Sequence, residues 1–181
     1  MIPLLLVALT LPDIDGVSRR FFEPGSLTAL FFVTHDCPVA NYYAPEIRRI
    51  CDDYRGRGLA CALVYVDPAL TPATVRAHAA EYQHGDYPKL IDREHRLVKL
   101  AGAATTPEVA LIGKDGKLVY RGRIDDFYVT WGKARRAVSD ATLRRALDAH
   151  LAGRPVAVKT TLSLIHISEP TRLRRTSYAV F

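Results

Sequence analysis

"THDCPVAN", residues 34–41, separates the apolar run "TALFFV" (28–33) from "YYAPEIRRICDDY" (42–54). The run, extended to 27–34, has the near-continuous apolar character of a strand covered on both faces. Beyond it, Tyr43, Ile47, Ile50, Cys51 and Tyr54 recur at helical spacing, which predicts a helix from about Asn41 to Tyr54. Cys37 therefore falls between a strand and a helix, at the carboxyl edge of a sheet, where open α/β sheets bind their ligands. A thiolate there gains from the unsatisfied N–H groups and positive dipole end of the helix. Pro38 fits a first helical turn, where no N–H partner is needed. Asp36 works the other way, because a neighbouring carboxylate disfavours the thiolate. The bland reading of Cys37 is a small buried hydrophobe. No second cysteine stands three residues on; that position is Ala40.

Working outward, strand and helix signals alternate. "GLACALVYVD" (58–67) reads as a second buried strand. "TPATVRAHAAEYQ" (71–83) reads as a helix with Thr71 as N-cap and Pro72 at its first position. "YPKLID" is a short strand, and "REHRLVKLAG" (93–102) a helix closed by Gly102. "PEVALIGKDGKLVYRGRI" is a hairpin turning at "KDG". "SDATLRRALDAHLAG" (139–153) is a last amphipathic helix, capped by Ser139 or Asp140 and stopped by Gly153. The order β-α-β-α-β-α-β-β-α implies an α/β fold, a central mixed sheet flanked by helices, with the hairpin as its antiparallel edge. No internal repeat or low-complexity linker interrupts it.

The chain has 181 residues and a formal charge of +6, with a sequence pI of about 9.4. Part of that charge is not informative. "LSLIHISEPTR" (162–172) resembles the translation of a transposon sequencing adaptor, and "TSYAVF" (176–181) resembles its next segment with Thr176 departing from Ile. Residues 162–181 are accordingly read as a non-native tail and set aside. They hold Arg172, Arg174 and Arg175 against Glu169, so the remainder carries +4. That balance gives no reason to expect a nucleic-acid partner. The apolar run Ile2–Leu9 is too short to span a bilayer. It lacks a positive n-region, so residues 1–10 read as a truncated signal or as a first strand, and localisation stays open between export and cytoplasm. Three scattered cysteines make neither a disulfide framework nor a C-x-x-C metal pair.

"TLPDIDG" (10–16), "DCPVAN", "TTPEV" and "YRGRIDD", in this order, resemble the peroxiredoxin-like redoxins of the AhpC/TSA superfamily, which have the thioredoxin-like fold. The resemblance runs from about Leu9 to Val158, with 11–158 as the redoxin domain. It implies that Cys37 is the redox nucleophile and that Pro107, after Thr106, is the cis-proline whose loop faces it. Thr34, three residues before Cys37, matches the peroxidatic threonine, while Leu30 stands where that pattern has proline and no arginine stands near Pro107. His35 is a candidate proton donor, and Asn41 an auxiliary group after the cysteine. Arg121 and Arg123, in the unusual stretch 120–136 with Asp125, Asp126, Trp131 and Lys133, are candidates to replace the missing arginine; the bland reading of that stretch is a solvated loop. The implied activity is thiol-dependent reduction of a peroxide or exchange of a disulfide, with an external thiol as reductant and no cofactor or metal. The competing class is a non-enzymatic binding module that uses the same groove. Cys51 and Cys61 read as core fillers, and helix rise puts Cys51 ~20 Å from Cys37, too far for a disulfide. His78, His84, His95 and His150 read as surface residues.

Overall fold

The computed structural model describes residues 9–22, 24–130 and 133–161. The 162–181 tail, most of the 1–10 segment and Trp131 lie outside the described residues.

The strand predicted before Cys37 is β3, counting two earlier ones: β1 (Leu9–Pro12) and β2 (Ser18–Phe21), an antiparallel pair with a sheet of its own. β3 (Leu27–Val33) runs parallel to β4 (Leu59–Tyr65), and β4 runs parallel to β5 (Lys89–Ile91). On its other side β3 pairs antiparallel with β6 (Glu108–Ile112), which turns at Gly116 into β7 (Leu118–Gly122). The sheet order is β5-β4-β3-β6-β7. Leu27, Ala29, Phe31 and Val33 join the core on one face; Leu30 and Phe32 join the core on the other. Both faces of β3 are covered, which is why its sequence runs apolar without alternation. Full burial of side chains such as Phe31 and Leu30 contributes ~1.5–3 kcal/mol each.

The helix predicted from Asn41 to Tyr54 is two helices, α1 (Pro38–Tyr42) and α2 (Ala44–Arg55), broken at Tyr43. Pro45 has no N–H to continue the α1 ladder and fits the first turn of α2 instead. α3 (Pro72–Glu81) begins as expected, with the Thr74 N–H donating to Thr71 Oγ1 at 3.2 Å. α4 (Arg96–Ala101) starts three residues later than predicted, because the Asp92 carboxylate accepts from the N–H groups of Arg96 and Val98. Gly102 closes it in the left-handed region, at φ 66°.

Two further departures come from the 123–140 stretch. It contains a small sheet, β8 (Tyr128–Thr130) against β9 (Lys133–Ala134), rather than only a solvated loop. The final helix, α5 (Thr142–Leu151), receives no cap from Ser139 or Asp140. The Ser139 N–H and hydroxyl and the Asp140 N–H donate to the Asp126 carboxylate instead, so this segment is tied back to the loop. At the far edge of the sheet, Lys159–Thr161 lies along β7: Arg121 N–H donates to Lys159 O at 2.9 Å and Thr161 N–H to Arg121 O at 3.0 Å.

Candidate active site

Cys37 is the N-cap of α1, with extended backbone (φ −82°, ψ 111°). Its Sγ accepts from the Ala40 N–H at 3.5 Å. A helix-start amide aimed at a sulfur favours negative charge on that sulfur as it develops. The residue is 9% exposed, a buried thiol at the margin of the surface. Thr34, buried at the end of β3, accepts the Cys37 N–H on its carbonyl at 3.5 Å. The Thr106–Pro107 peptide is cis, and both residues are buried. Glu108 pairs with Phe32, so Pro107 comes one residue beyond that pair, at the sheet edge from which Thr34 leads into Cys37.

The loop that carries Pro107 is held by Glu108. Its Oε2 accepts from Ala104 N–H (2.7 Å), Thr105 N–H (3.0 Å) and the Thr105 hydroxyl (3.3 Å). Its Oε1 faces Arg121 Nε at 3.6 Å. Arg121 also donates to the Gly102 carbonyl. Arg123 bonds Thr142 Oγ1 and Asp140 Oδ2. Both guanidinium groups are thus engaged with the α4–β6 loop and the start of α5, not with Cys37. β7 carries Arg121 opposite Ala110 of β6, and the Asp126-bound segment holds Asp140, the partner of Arg123.

What the 123–136 stretch does bring to Cys37 is aromatic. Phe127 stacks on Tyr42 of α1, with centroids 4.8 Å apart and planes 8° from parallel. Tyr128 stands edge-on to Tyr42 at 5.2 Å. Burial pushes the Tyr128 phenol up, with smaller contributions from Tyr42 and from Cys37, whose sulfur is within electrostatic reach. This wall is anchored below: the buried Tyr43 hydroxyl donates to Asp125 Oδ1 at 2.5 Å, and the Phe127 N–H donates to the same oxygen at 2.9 Å. Burial raises the Asp125 carboxyl above its usual range, while those two bonds pull it back down.

On the opposite side, Asn41 Nδ2 donates to the His35 carbonyl at 3.1 Å, and its Oδ1 pairs with His78 Nε2 at 2.9 Å. His78 Nδ1 meets the Tyr65 hydroxyl at 2.8 Å. The His35 ring lies edge-on to His78, 6.4 Å away. His78 and His95 are buried, correcting their reading as surface residues. His78 turns inward because Tyr65 and Asn41 offer polar partners, and His95 because the Val66 carbonyl lies 2.8 Å from its Nε2. His84 is half-buried against His78 and Tyr87. Among the described residues, no group of three or more His, Cys, Asp or Glu could hold a metal ion.

Glu108, Tyr43–Asp125 and the Tyr42–Phe127–Tyr128 wall had no motif to reveal them. The signals present were a lone acid next to "TTP" and two adjacent acids in an aromatic stretch, and each needs tertiary placement to acquire a role.

The Redoxin family model matches residues 21–127. The chain belongs to the Redoxin family. Among solved structures, this redoxin is similar to an uncharacterised conserved protein from Geobacillus kaustophilus, with 26% identity, a TM-score of 0.77 and 92% of each chain covered. It is also similar to a hypothetical protein from Sinorhizobium meliloti 1021, with 30% identity, a TM-score of 0.71, and 86% of this chain and 88% of that one covered. A secreted disulfide oxidoreductase of Mycobacterium tuberculosis shares the fold at 14% identity and a TM-score of 0.54, covering 80% of this redoxin and 95% of that chain. No curated protein matches it. The fold is thioredoxin-like, a mixed sheet flanked by helices.

Proposed function

We propose that this redoxin is a thiol–disulfide oxidoreductase with Cys37 as its nucleophile. The observation that carries the reading is the Cys37 sulfur at the α1 N-cap, receiving the Ala40 amide, at the sheet edge that also holds the cis Thr106–Pro107 peptide. The Cys37 thiolate attacks one sulfur of a substrate disulfide; the S–S bond breaks, a mixed disulfide forms and the other substrate thiolate leaves. An external thiol then attacks the substrate sulfur of the mixed disulfide, which frees Cys37 and leaves that sulfur bonded to the external thiol; a second external thiol releases it, so two external thiols end as a disulfide and the substrate disulfide is reduced to two thiols. Ala40 stands where a resolving cysteine would intervene, and Cys51 and Cys61 are buried elsewhere, so release depends on the external thiol. Thr34 supports the backbone of the Cys37 turn, and Pro107 shapes the facing loop. His35, two residues before Cys37 in sequence, is a candidate to protonate a leaving thiolate.

Disulfide exchange is favoured over peroxide reduction because Arg121 and Arg123, the candidates to polarise a peroxide, are committed to Gly102, Glu108, Thr142 and Asp140. The Tyr42–Phe127–Tyr128 wall suits an apolar substrate chain better than a small polar peroxide. The test is turnover of a glutathionylated peptide with excess reduced glutathione, beside stopped-flow oxidation by hydrogen peroxide. Expected is turnover in the parent, loss of at least a hundredfold in Cys37→Ser, and slow peroxide oxidation. Faster reaction with peroxide than with the peptide would replace disulfide exchange by peroxidase activity. Inertness of Cys37 to both, in a folded chain, would leave the binding-module reading.

A further inference from the structure

Tyr65, His78 and Asn41 take no part in the exchange chemistry, yet hydrogen bonds link them in a line that ends beside Cys37. The line runs from the last residue of β4 through α3 to α1 and stops at the His35 carbonyl. That carbonyl fixes the direction of every bond in it. A carbonyl only accepts, so the Asn41 atom 3.1 Å from it belongs to the NH2 end of the amide. Asn41 Oδ1 therefore faces His78 Nε2, and at 2.9 Å that nitrogen carries the proton. Burial holds His78 below its ordinary value, so the ring is neutral at neutral pH and its Nδ1 is bare. The Tyr65 hydroxyl, 2.8 Å away, donates to Nδ1. His78 is buried and locked in one tautomer by partners on both sides.

Asn41 in turn holds Cys37 from two directions. Its backbone N–H donates to the Cys37 carbonyl at 3.0 Å, and its side-chain amide donates to the carbonyl of His35, two residues before the thiol. The turn's own bond, Cys37 N–H to Thr34 O, is 3.5 Å long, beyond the usual range for N–H···O. His35 Nδ1 is buried with no hydrogen-bond partner among the described residues, so it adds no tie of its own. The Asn41 amide is therefore the shorter and stronger hold on the segment that enters Cys37. An asparagine amide turns easily about its last torsion, and here the His78 N–H on its oxygen fixes it. A swing of the 34–37 segment would carry the Cys37 sulfur away from the Ala40 N–H that it meets at 3.5 Å.

We propose that His78 is a positioning residue for Cys37: by donating to Asn41 it aims the Asn41 amide at the His35 carbonyl, and so keeps the Cys37 sulfur over the Ala40 amide. The inference rests on Cys37 as the nucleophile of disulfide exchange. A sulfur held in place gains rate rather than substrate affinity, so the effect belongs in kcat and not in KM.

The experiment uses the full chain. It reads alkylation of Cys37 by iodoacetamide at neutral pH, resolved from Cys51 and Cys61 by peptide mapping, beside turnover of a glutathionylated peptide by reduced glutathione. His78→Phe keeps a ring against Tyr65 and Tyr82 but has no donor, whereas His78→Gln keeps a donor. Expected in His78→Phe is several-fold slower alkylation and an equal fall in kcat with KM unchanged, and in His78→Gln a return to near the parent rate. Asn41→Ala is expected to slow alkylation alike, and the double variant of His78→Phe and Asn41→Ala to be no slower than either alone. Equal slowing by His78→Phe and His78→Gln would reduce the role to packing and overturn the proposal, as would losses that multiply in the double variant. If His78→Phe does not fold, Asn41→Ala at its half-buried position decides, because parent-like alkylation there overturns the clamp. Alkylation needs only a thiol, so it is read independently of exchange. A parent that alkylates but does not turn over the peptide overturns disulfide exchange, and the alkylation series still decides the role of His78.

Discussion

Two residues, Tyr43 and Asp125, connect the fold to the surroundings of Cys37. Tyr43 ends α1 and begins α2, and its hydroxyl reaches Asp125, 82 positions away in sequence, at 2.5 Å. Asp125 in turn holds the Phe127 amide, and Phe127 stacks on Tyr42, one residue from Tyr43. Tyr43→Phe removes the donor but keeps the ring. Burial holds the Asp125 carboxyl above its ordinary range, and the Tyr43 bond opposes that by stabilising the ionised form. Without the bond, the folded-state value rises further. A carboxyl raised in the folded state gives stability below its unfolded value that is lost as pH rises through the folded value. Tyr43→Phe is therefore expected to be destabilised by ~1–3 kcal/mol at neutral pH, and by less as pH falls toward 4. Urea unfolding of parent and variant across pH checks both the size and the sign. A deficit that grew toward acid would contradict the assignment of Asp125 as the charged partner.

At the scale of elements, α3 sets His78 beside α1 through Asn41, and the chain after it sets His84 against His78 and Tyr87. His78 lies below its ordinary value mainly through burial, with His35 adding to the effect. His84 is pushed from 6.5 down to about 4, first by burial and then by His78, Lys89 and Arg48. Between about 4 and 6.5 the unfolded chain binds protons at His84 that the folded chain does not, so stability rises with pH across that window and levels off above it. Carboxylates such as Asp13, held low by Arg19 and two amides, titrate in part of the same range, so the parent's slope is composite. The informative quantity is the difference between parent and His84→Gln. The variant should lose less stability than the parent between pH 6.5 and 4.5, as measured by chemical unfolding at half-unit steps. Parallel pH profiles would show that His84 titrates alike in the folded and unfolded chain.

For the whole molecule, period and punctuation carry the layout: five core strands, their order and the thiol at a strand–helix junction follow from apolar runs, Thr71–Pro72, Gly102 and "KDG". What they do not carry is which polar residues meet. His78 looks solvent-facing on a helix of small residues until Tyr65 and Asn41 are placed beside it, and Arg121 looks free until the β6–β7 register points it at Glu108. The same register ties the last described residues, Lys159–Thr161, to β7. Thr161 Oγ1 accepts from Arg123 N–H at 3.0 Å and bonds the Tyr120 hydroxyl at 2.9 Å, while Thr161 N–H donates to Arg121 O. Gly122, at φ 146°, lies so close beneath Thr161 that an added Cβ would clash with its Oγ1. These bonds belong to the fold, and on the reading of residues 162–181 as a non-native tail, which begins one residue later, that tail was never selected for contacts. Deleting residues 162–181 is expected to leave the thermal midpoint within a degree or two of the parent. Deleting 159–181 removes the three bonds of Thr161 and the Arg121 N–H bond to Lys159. At ~0.5–1.5 kcal/mol each, that is a loss of roughly 2–6 kcal/mol. For a domain of this size, such a loss lowers the midpoint by roughly 5–20 °C. Calorimetry on the two truncations separates the cases: a large drop on the first deletion would show that the tail contributes to the fold, and no drop on the second would show that the β7 edge does not depend on Thr161.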